Sequence, residues 1–559
     1  MRHLAGLQHS HYSRDMLGLM QEFPLLVHRV IDHAARWHGT QTILSRSVEG
    51  PLHRTDYATV NRRARALASA CERQLGLSMG SVIATMAWNS WRHLEIWYGV
   101  MGMGGIVHTL NPRLFTDQLS YIVNHAEDQW IFTDLTFVPL LEKLQDQCPK
   151  VKGFVILTDE AHMPETTLRN PVCYESLVAQ GEEQYAWPEF DENTACGMCY
   201  TSGTTGHPKG VLYSHRSNVL HGMMCALGDA MAIKSVDVAM PVVPMFHANA
   251  WSLAFSAPIG GAALVMPGPK LDGASIYEML TEGAVTITAA VPTVWLMLLN
   301  FLEQNPELRL PQLDRVVIGG SACPESIMKA FVETYGTDVI HAWGMTEMSP
   351  IGSLGVPTGE TRSLALDDWW TVKLKQGRPP FMVDMKITDD EGRALPHDGQ
   401  TFGRLKVKGP AIARSYYKGE GQTAFDADGW FDTGDVATID PHGFMQITDR
   451  AKDVIKSGGE WISSIELENI ALGCGGVHEA AAIGLPHPRW DERPLLVIVK
   501  KVDAVVTRDD ILAHLDGKVA RWWMPDDVAF VDEIPHTATG KISKMELRAR
   551  FKGYTFPTV

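Results

Sequence analysis

Apolar runs of strand length alternate with amphipathic runs of helix length along the first part of the chain. Apolar residues at helical spacing predict a helix within residues 16–46, followed by a strand, and a second helix over Ala58–Leu75. A buried strand is predicted at Ser81–Met86 and a further helix at Glu95–Met103. The alternation continues past Asp134 and predicts a parallel sheet that is covered by helices on both faces.

The same alternation returns further along the chain. The predicted strands are Val238–Val243, Gly260–Met266, Val285–Val291, Arg315–Ile318 and Val339–Trp343, with a helix near Val294–Glu303. Three strand ends open onto small or polar residues, namely Pro244–His247, Gly319–Ala322 and Gly344–Glu347. Because such sheets bind ligands at the carboxyl ends of their strands, we expect a binding site there.

The C-terminal part of the chain has a different pattern. From about Thr371, short β segments separated by turn signals predict a small β-barrel or meander beside the sheets. A compact α+β unit is predicted from about Asp453, with helices near Ile465–Leu472 and Arg508–Leu515, and its tail at Thr539–Ile542 is predicted to be a polar loop. The predicted fold class is therefore α/β, with a large N-terminal domain of helix-covered sheets plus a β-barrel and a small α+β C-terminal domain.

Composition and charge exclude several classes of protein. The chain has 559 residues, of which 45% are hydrophobic and 20% are charged, as is typical of a globular protein rather than a disordered one. A net charge of −16 argues against non-specific nucleic-acid binding. Of the eight cysteines, only Cys196 and Cys199 form a CxxC pair, and we expect buried free thiols in a reducing compartment rather than a zinc site.

Targeting and membrane signals are weak. His3, His9 and Arg14 interrupt the N-terminus before an apolar segment long enough for a signal peptide develops. The most apolar stretches, such as Ala248–Pro267, are broken by proline and glycine and are too short to span a membrane. We therefore expect a cytoplasmic protein without an integral membrane segment.

The run YTSGTTGHPKGV at Tyr200–Val211 is the strongest candidate for a binding loop. It combines glycines, hydroxyls and one lysine: Gly203, Gly206, Gly210, Thr201, Ser202, Thr204, Thr205 and Lys209. Glycines let backbone N–H groups approach an anion closely, and a lysine adds a charge suited to phosphate. The alternative is a solvated turn, and Pro208 stands where a Walker A loop needs its second glycine.

Four other motifs each have two interpretations when taken alone. Trp343–Glu347 places an aromatic ring, a hydroxyl and a carboxylate at a strand end, or it is a helix start capped by Thr346. Asp432–Asp435 is a turn whose carboxylates could bind sugar hydroxyls, or it is only a turn. Asp449–Asp453 and Lys541 would ordinarily be a solvated linker and a surface lysine.

Together these motifs carry a resemblance to a known family. Five segments match in order: YTSGTTGHPKGV (200–211), WGMTE (343–347), DGWFDTGD (428–435), DRAKDVIKSGGEWISSIELE (449–468) and TGKI (539–542). From about residue 25 to 550 the chain resembles the adenylate-forming superfamily of acyl-CoA synthetases, luciferases and peptide-synthetase adenylation domains. Residues 428–468 most resemble the fatty-acyl-CoA synthetase signature. One departure is Trp343, where a tyrosine is usual.

The resemblance implies roles in handling ATP and its metal. The loop Thr201–Lys209 is expected to hold the β- and γ-phosphates of ATP. Glu347 and Thr204 are expected at a Mg²⁺ site, because a hard cation that bridges phosphates needs oxygen ligands. Thr346 is expected to contact phosphate. Lys541 is expected to bridge the α-phosphate and the acyl carboxylate, where it would neutralise the charge that develops.

The nucleoside, thiol and acyl sites are also implied by the resemblance. Asp435 is expected to accept the ribose hydroxyls, with Arg450 at the ribose or phosphate. The adenine slot is expected to comprise Gly319, Gly320, Ser321, Ala322, His341, Ala342, Trp343, Gly344 and Met345. The hinge and coenzyme A side is expected to include Lys452, Lys456, Gly458, Gly459 and Trp461, with Gly458 lining the pantetheine tunnel. The acyl pocket is expected to include His247, Trp251, Val291, Trp295 and Gly320, with His247 gating the meeting of pocket and tunnel.

The resulting prediction is a two-step ligase. Residues 1–448 would form the adenylation domain, 449–452 a hinge, and 453–559 a mobile C-terminal domain. The predicted reactants are ATP with Mg²⁺, coenzyme A and a medium- or long-chain fatty acid. Three alternatives stay open: a ligase for a short thioether acid such as 3-methylmercaptopropionate or for an aryl acid, a free-standing enzyme that loads a carrier protein, and a luciferase-type oxygenase. A homodimer is expected from the family.

Overall fold

A computed structural model describes residues 18–201, 207–458, 460–536 and 542–557, without the side chains of 460 and 461. The helices are α1 (Val27–Trp37), α2 (Tyr57–Leu75), α3 (Trp91–Gly102), α4 (Thr116–Ala126), α5 (Val138–Leu144), α6 (Tyr174–Ala179), α7 (His215–Ala226), α8 (Leu253–Gly260), α9 (Gly273–Glu282), α10 (Pro292–Gln304), α11 (Glu325–Lys329), α12 (Leu366–Lys373), α13 (Ser464–Leu472), α14 (Arg508–Leu515) and α15 (Lys544–Arg550).

The strands fall into four sheets. The first strands of the chain are β1 (Thr42–Arg46), β2 (Leu52–Asp56), β3 (Val82–Met86), β4 (Ile106–Thr109), β5 (Trp130–Thr133), β6 (Gly153–Ile156), β7 (Pro171–Cys173), β8 (Ala195–Tyr200), β9 (Gly210–Ser214), β10 (Val238–Pro241), β11 (Ala263–Met266), β12 (Ile287–Ala290), β13 (Arg315–Ile318), β14 (Asp338–Gly344) and β15 (Ile351–Leu354). The later strands are β16 (Asp384–Thr388), β17 (Gly403–Lys408), β18 (Phe431–Ile439), β19 (Met445–Arg450), β20 (Ile455–Ser457), β21 (Glu460–Ile462), β22 (Val477–His487), β23 (Asp491–Lys500) and β24 (Asp527–Phe530).

Two large sheets confirm the predicted helix-covered architecture. One has the order β15-β14-β13-β12-β10-β11-β1-β2 and the other β7-β6-β5-β3-β4-β8-β9. Their inner strands pair in parallel, whereas the edge strands β2, β15 and β9 pair antiparallel. Most inner strands are buried along their whole length, which explains their continuous apolar runs.

The sheet order brings three of the predicted loops to one edge. Strands β10, β12, β13 and β14 are neighbours and run in parallel. The segments Pro244–His247, Gly319–Ala322 and Gly344–Glu347 all follow the carboxyl ends of these strands. The expectation that these ends share an edge of the sheet is confirmed.

Several helices and strands begin at residues other than the predicted ones, for local reasons. The first helix begins only at Val27, because Leu26 at the N-cap has an extended backbone. Helix α3 begins four residues before the predicted Glu95, where the Ser90 side chain accepts from the His93 N–H. The strand predicted from Gly260 begins at Ala263. Gly261 first ends α8 in the left-handed conformation, with φ 71°.

The β unit is a meander, which is one of the two forms predicted for it. Strands β16, β17, β18 and β19 pair antiparallel in chain order, and within the part of the chain that is described the two outer strands do not pair with each other. The predicted start at Thr371 is wrong, because Thr371 lies in helix α12 and the first strand begins at Asp384. Asp432–Asp435 is not a turn but part of β18, in which Gly434 has φ 72°.

The C-terminal α+β unit has its own sheet and a buried charge cluster. The sheet has the order β21-β20-β23-β22, with β24 beside β23. Lys544 pairs with Glu468 at 2.7 Å, and the Asp449 carboxylate accepts the Ser464 N–H at 2.7 Å. Glu468 and Asp449 hold the pKa of Lys544 above its ordinary value, although burial alone would lower it. This cluster joins α13 and α15 to the end of β19.

The cysteines and the helices agree with two expectations drawn from the sequence. All eight cysteines are buried and free, as predicted. Within the described ranges, the helices are all too short or too polar to cross a lipid bilayer.

Asp134, at the carboxyl end of β5, makes a testable contribution to pH-dependent stability. Burial raises the pKa of its carboxyl to about 7, although the Trp88 N–H donates to it at 2.6 Å. A raised pKa favours folding below the unfolded value near 4, and this contribution is lost as pH rises through 7. Between these two pKa values, the free energy of unfolding of the wild type should fall by up to about 1.4 kcal/mol per pH unit, and Asp134→Asn should abolish this fall.

The measurement is urea unfolding of both proteins from pH 4 to pH 8. Asp146→Asn, at an exposed position, is the matched control and should keep the wild-type slope. An Asp134→Asn slope equal to that of the wild type would contradict the assignment.

Candidate active site

The candidate phosphate loop is closed at its base by reciprocal hydrogen bonds. Strands β8 and β9 form an antiparallel pair that flanks it. The Thr201 N–H donates to the Lys209 carbonyl at 2.9 Å, and the Lys209 N–H donates to Thr201 Oγ1 at 3.2 Å. The tip of the loop, with Ser202, Gly203, Thr204, Thr205 and Gly206, lies outside the described residues.

Glu347 is a buried carboxylate at the end of β14. It lies in a short 3-10 turn, Thr346–Met348, with only 5% of the residue exposed. Its Oε1 accepts a hydrogen bond from the Tyr416 hydroxyl at 2.6 Å. Met345 rather than Thr346 is the N-cap, so the interpretation of Thr346 as a helix cap is wrong. The Thr346 carbonyl instead accepts from the Tyr213 hydroxyl at 2.6 Å.

The electrostatics of Glu347 suit a bound cation. Burial raises the pKa of its carboxyl, while the Tyr416 hydrogen bond and the nearby Arg450 act in the opposite direction. A carboxylate that is costly to ionise when buried gains most from a positive ligand. The Glu347 carboxylate therefore fits the role of a Mg²⁺ ligand that is expected for it.

The Asp435 carboxylate is held on both of its oxygens. The Trp343 indole N–H donates to Oδ2 at 3.0 Å, and Arg450 Nε pairs with Oδ1 at 2.9 Å. Asp435 and Arg450 are directly opposed in the β18–β19 ladder, which fixes their separation. Trp343, which stands where a tyrosine is usual, thus donates a hydrogen bond to Asp435, the residue expected to accept the ribose hydroxyls.

Glycines in the predicted adenine loop allow close packing. A Cβ at Gly319 would lie 2.6 Å from the Ala342 carbonyl oxygen and 3.2 Å from Trp251 Cη2. Gly320 has φ 81°, and a Cβ there would lie 3.0 Å from Val291 Cγ1. The structure therefore brings Trp251 and Val291 against this loop.

The other residues predicted for the adenine slot lie at the rim of this loop or support it. Ser321 is exposed and Ala322 is partly buried. The Met345 N–H, next to Gly344, donates to the Pro350 carbonyl at 2.9 Å. His341 is buried, and its Nδ1–H donates to the Leu374 carbonyl at 2.9 Å.

The buried His341 ring supports the loop from beneath. Its Nε2 accepts from the Cys323 N–H at 3.4 Å, one residue after Ala322. Burial lowers the pKa of His341 to about 4, so the ring is neutral near pH 7. Both ring nitrogens thus contact backbone groups, which indicates support of the loop rather than direct nucleotide contact.

Trp251 lies on an unusual left-handed turn. The five residues Ala248–Ser252 all have positive φ, between 46° and 68°. Such a conformation costs non-glycine residues about 1–2 kcal/mol each, so packing must stabilise it. Trp251 and Ala250 are almost completely buried, whereas His247, immediately before the turn, is exposed. Strain of this kind is commonly found at functional sites.

Trp295, the other tryptophan predicted for the acyl pocket, packs apart from Trp251. It is fully buried in a different apolar core from Trp251, and its ring packs edge-on against Phe331 at 5.7 Å between centroids. The described contacts do not bring Trp295 to Trp251.

The predicted coenzyme A residues form a separate group. Gly458 has φ 60°, and its N–H donates to the Trp490 carbonyl at 2.7 Å. The Lys456 N–H donates to Glu492 at 3.0 Å, so both residues make their described contacts inside the C-terminal unit. Lys452 is exposed in the turn after β19. Lys541, Gly459 and the Trp461 side chain lie outside the described residues.

Two tyrosines were missed by the sequence analysis. Tyr416 contacts Glu347 through its hydroxyl and lies with its ring centroid 5.1 Å from Lys209 Nζ. Tyr213 supports the turn that carries Glu347. The only sequence signal for Tyr416 is a pair of aromatic residues in a polar stretch, which would have been too weak to assign a role.

Comparisons with known proteins agree with this geometry. The AMP-binding enzyme family model matches residues 31–417, and the AMP-binding enzyme C-terminal domain model matches residues 466–541. The anthranilate CoA ligase AuaEII, solved with anthranoyl-AMP, superposes with a TM-score of 0.81 at 23% identity, covering 94% of this chain and 97% of that one. This likeness confirms the fold.

Two relatives are much closer in sequence. The 3-methylmercaptopropionyl-CoA ligase of Ruegeria lacuscaerulensis is 48% identical over 537 residues, covering 96% of this chain and 99% of that protein. The medium-chain-fatty-acid–CoA ligase of Ectopseudomonas oleovorans is 46% identical over 536 residues, covering 96% and 98%. The chain therefore belongs to the family of AMP-binding enzymes, and it is an acid–thiol ligase.

Proposed function

We propose that this ligase joins a medium- or long-chain fatty acid to coenzyme A through an acyl-adenylate. The observation that carries the proposal is the grouping of the predicted nucleotide residues. Tyr416 links Lys209 to Glu347, and Asp435 pairs with Arg450 on the neighbouring strand. Phosphate, metal and ribose groups would each meet a complementary partner within one site.

The first step forms the adenylate. A carboxylate oxygen of the acid attacks the α-phosphorus of ATP, and the bond to pyrophosphate breaks. Lys209 would pair with phosphate, and Asp435 would accept the ribose hydroxyls. Lys541 would neutralise charge between the α-phosphate and the acid. Glu347 would hold Mg²⁺, which supplies charge neutralisation on the phosphates.

The second step forms the thioester. The sulfur of coenzyme A attacks the carbonyl carbon of the adenylate, and AMP leaves. Gly458 would line the thiol path. Because Gly458 makes its described contacts within the C-terminal unit, rotation of residues 453–559 about 449–452 would present Lys541 and Gly458 in turn.

The acyl group is assigned from the surroundings of Trp251. Trp251, Val291 and the Gly319–Gly320 backbone form an apolar surface, and no cation is among these residues to pair with a second carboxylate. The two relatives named above act on 3-methylmercaptopropionate and on medium-chain fatty acids. A short thioether acid is therefore the second candidate, and Trp251 would then close the pocket early. The cytoplasmic location and the homodimer stay predictions.

The first test measures AMP release with coenzyme A across acids of increasing length. We expect kcat/KM to rise about fourfold per added CH₂ up to medium chains, because each buried CH₂ contributes about 0.8 kcal/mol. A maximum at 3-methylmercaptopropionate, with no activity at eight carbons, would contradict the fatty-acid proposal. AMP release that requires a carrier protein would contradict the use of coenzyme A.

Trp251→Gly should move the optimum to longer acids. Glycine tolerates the positive φ at this position, so the variant opens space without adding backbone strain. Ala250→Gly relieves similar strain but opens no comparable space, and it should keep the wild-type optimum. Equal optima for the two variants would place the end of the pocket elsewhere.

A second prediction concerns the indole donor to Asp435. Trp343→Phe keeps a flat ring but loses the N–H, and we expect KM for ATP to rise about tenfold because a hydrogen bond to a charged group is lost. The preference for ATP over 2′-deoxy-ATP should fall, since Asp435 would be held less firmly. Pyrophosphate exchange with each nucleotide measures both effects.

Trp430→Phe is the control for this experiment, because its ring lies in the same meander under Lys386. Trp430→Phe should keep the wild-type KM for ATP and the wild-type preference for ATP over 2′-deoxy-ATP. A Trp343→Phe enzyme with an unchanged KM and an unchanged nucleotide preference would show that the bond to Asp435 has no role in binding.

A third prediction separates the two half-reactions. Lys541→Ala should lose adenylate formation but still convert supplied acyl-adenylate to acyl-CoA. Gly458→Leu should form adenylate but fail with the thiol. Gly517→Leu controls for backbone strain, because Gly517 also has positive φ, at 75°, and an added Cβ would meet no neighbour. Equal loss of both half-reactions in a folded Lys541→Ala protein would exclude the two-pose mechanism.

A further inference from the structure

We propose that Tyr416 is a positioning residue that holds Glu347 and Lys209 in place for MgATP. The inference rests on the proposed function, because it takes Glu347 as the metal carboxylate and Lys209 as a phosphate ligand. Tyr416 contacts both side chains at once. It lies outside the five motifs that carry the family resemblance.

The two contacts come from different parts of the tyrosine. Its hydroxyl donates to Glu347 Oε1 at 2.6 Å, which fixes the rotation of the carboxylate. Its ring face lies 5.1 Å from Lys209 Nζ, within the range of a cation–π contact. A long lysine side chain is thereby ordered before phosphate arrives, which reduces the entropy lost on binding.

The surroundings keep Tyr416 itself in place. The residue is 8% exposed and packs edge-on against Phe425 at 5.7 Å between ring centroids. Gly421 has φ 59°, and a Cβ there would lie 2.9 Å from both Lys209 Nζ and Tyr416 Cδ2. The chain after Tyr416 thus closes over the lysine and the ring.

The backbone before Tyr416 is tied to the turn that carries Glu347. The Ala413 N–H donates to the Glu347 carbonyl at 2.8 Å, and the Ser349 hydroxyl donates to the Ala411 carbonyl at 2.8 Å. Because both the backbone and the side chain of this segment contact the same turn, Tyr416 and Glu347 move as one unit. Tyr416 therefore connects the turn at 346–349 with the base of the phosphate loop.

The test compares the binding of MgATP and of AMP by calorimetry, in the absence of acid so that no reaction occurs. Tyr416→Phe keeps the ring but removes the hydroxyl, and MgATP should bind about tenfold more weakly while AMP affinity is unchanged. Tyr416→Leu removes both contacts, and the loss for MgATP should be larger. A general structural defect would weaken AMP binding as well, because AMP requires Asp435 in the same site.

Tyr417→Phe is the matched control, since it removes a neighbouring hydroxyl and should keep wild-type affinity. Glu347→Gln should weaken MgATP binding in the same direction as Tyr416→Phe. If Glu347→Gln weakens binding but Tyr416→Phe does not, the positioning role is wrong and the proposed function stands. If wild-type protein fails to bind MgATP, both are overturned.

Discussion

A buried carboxylate constrains much of this structure. Glu347 is almost inaccessible to water, and an ionised group in that position is stable only if its neighbours supply donors or positive charge. Two separate segments meet this requirement, because Tyr416 donates to the carboxylate and Arg450 lies near it, while Tyr213 supports the turn by donating to the Thr346 carbonyl. The same requirement makes the position suitable for a divalent cation.

Sheet geometry explains how distant residues reach this carboxylate. Strands β13 and β14 are parallel neighbours, so the loops after Ile318 and Gly344 leave the same edge of the sheet. The meander contributes through antiparallel register instead, because Asp435 faces Arg450 directly across the ladder. The Trp343 side chain connects the parallel sheet to the meander, because Trp343 lies near the end of β14 and its indole N–H donates to Asp435 in β18.

The sequence predicted what local patterns encode. Continuous apolar runs identified the buried strands, and the glycine-rich run identified a loop between β8 and β9. Element starts were less predictable, because the start of α3, for example, depends on a single hydrogen bond from the His93 N–H to the Ser90 side chain. The contacts of Trp343 and Tyr416 depend on partners 92 and 69 residues away, so no local pattern could indicate them. Trp295 is an aromatic residue of a type that often lines pockets, but it packs in a different apolar core from Trp251.

The end of β19 shows how the nucleotide site and the C-terminal unit are coupled. Successive residues of a strand point to opposite sides, so Arg450 pairs with Asp435 while Asp449 accepts from Ser464. Asp449 is the first residue of the predicted hinge, 449–452, whereas Ser464 follows the hinge. If the proposed rotation takes place within that hinge, it would separate Asp449 from its donor and open a buried charge cluster, which would cost several kcal/mol unless new partners formed. A second pose would then have to supply those partners.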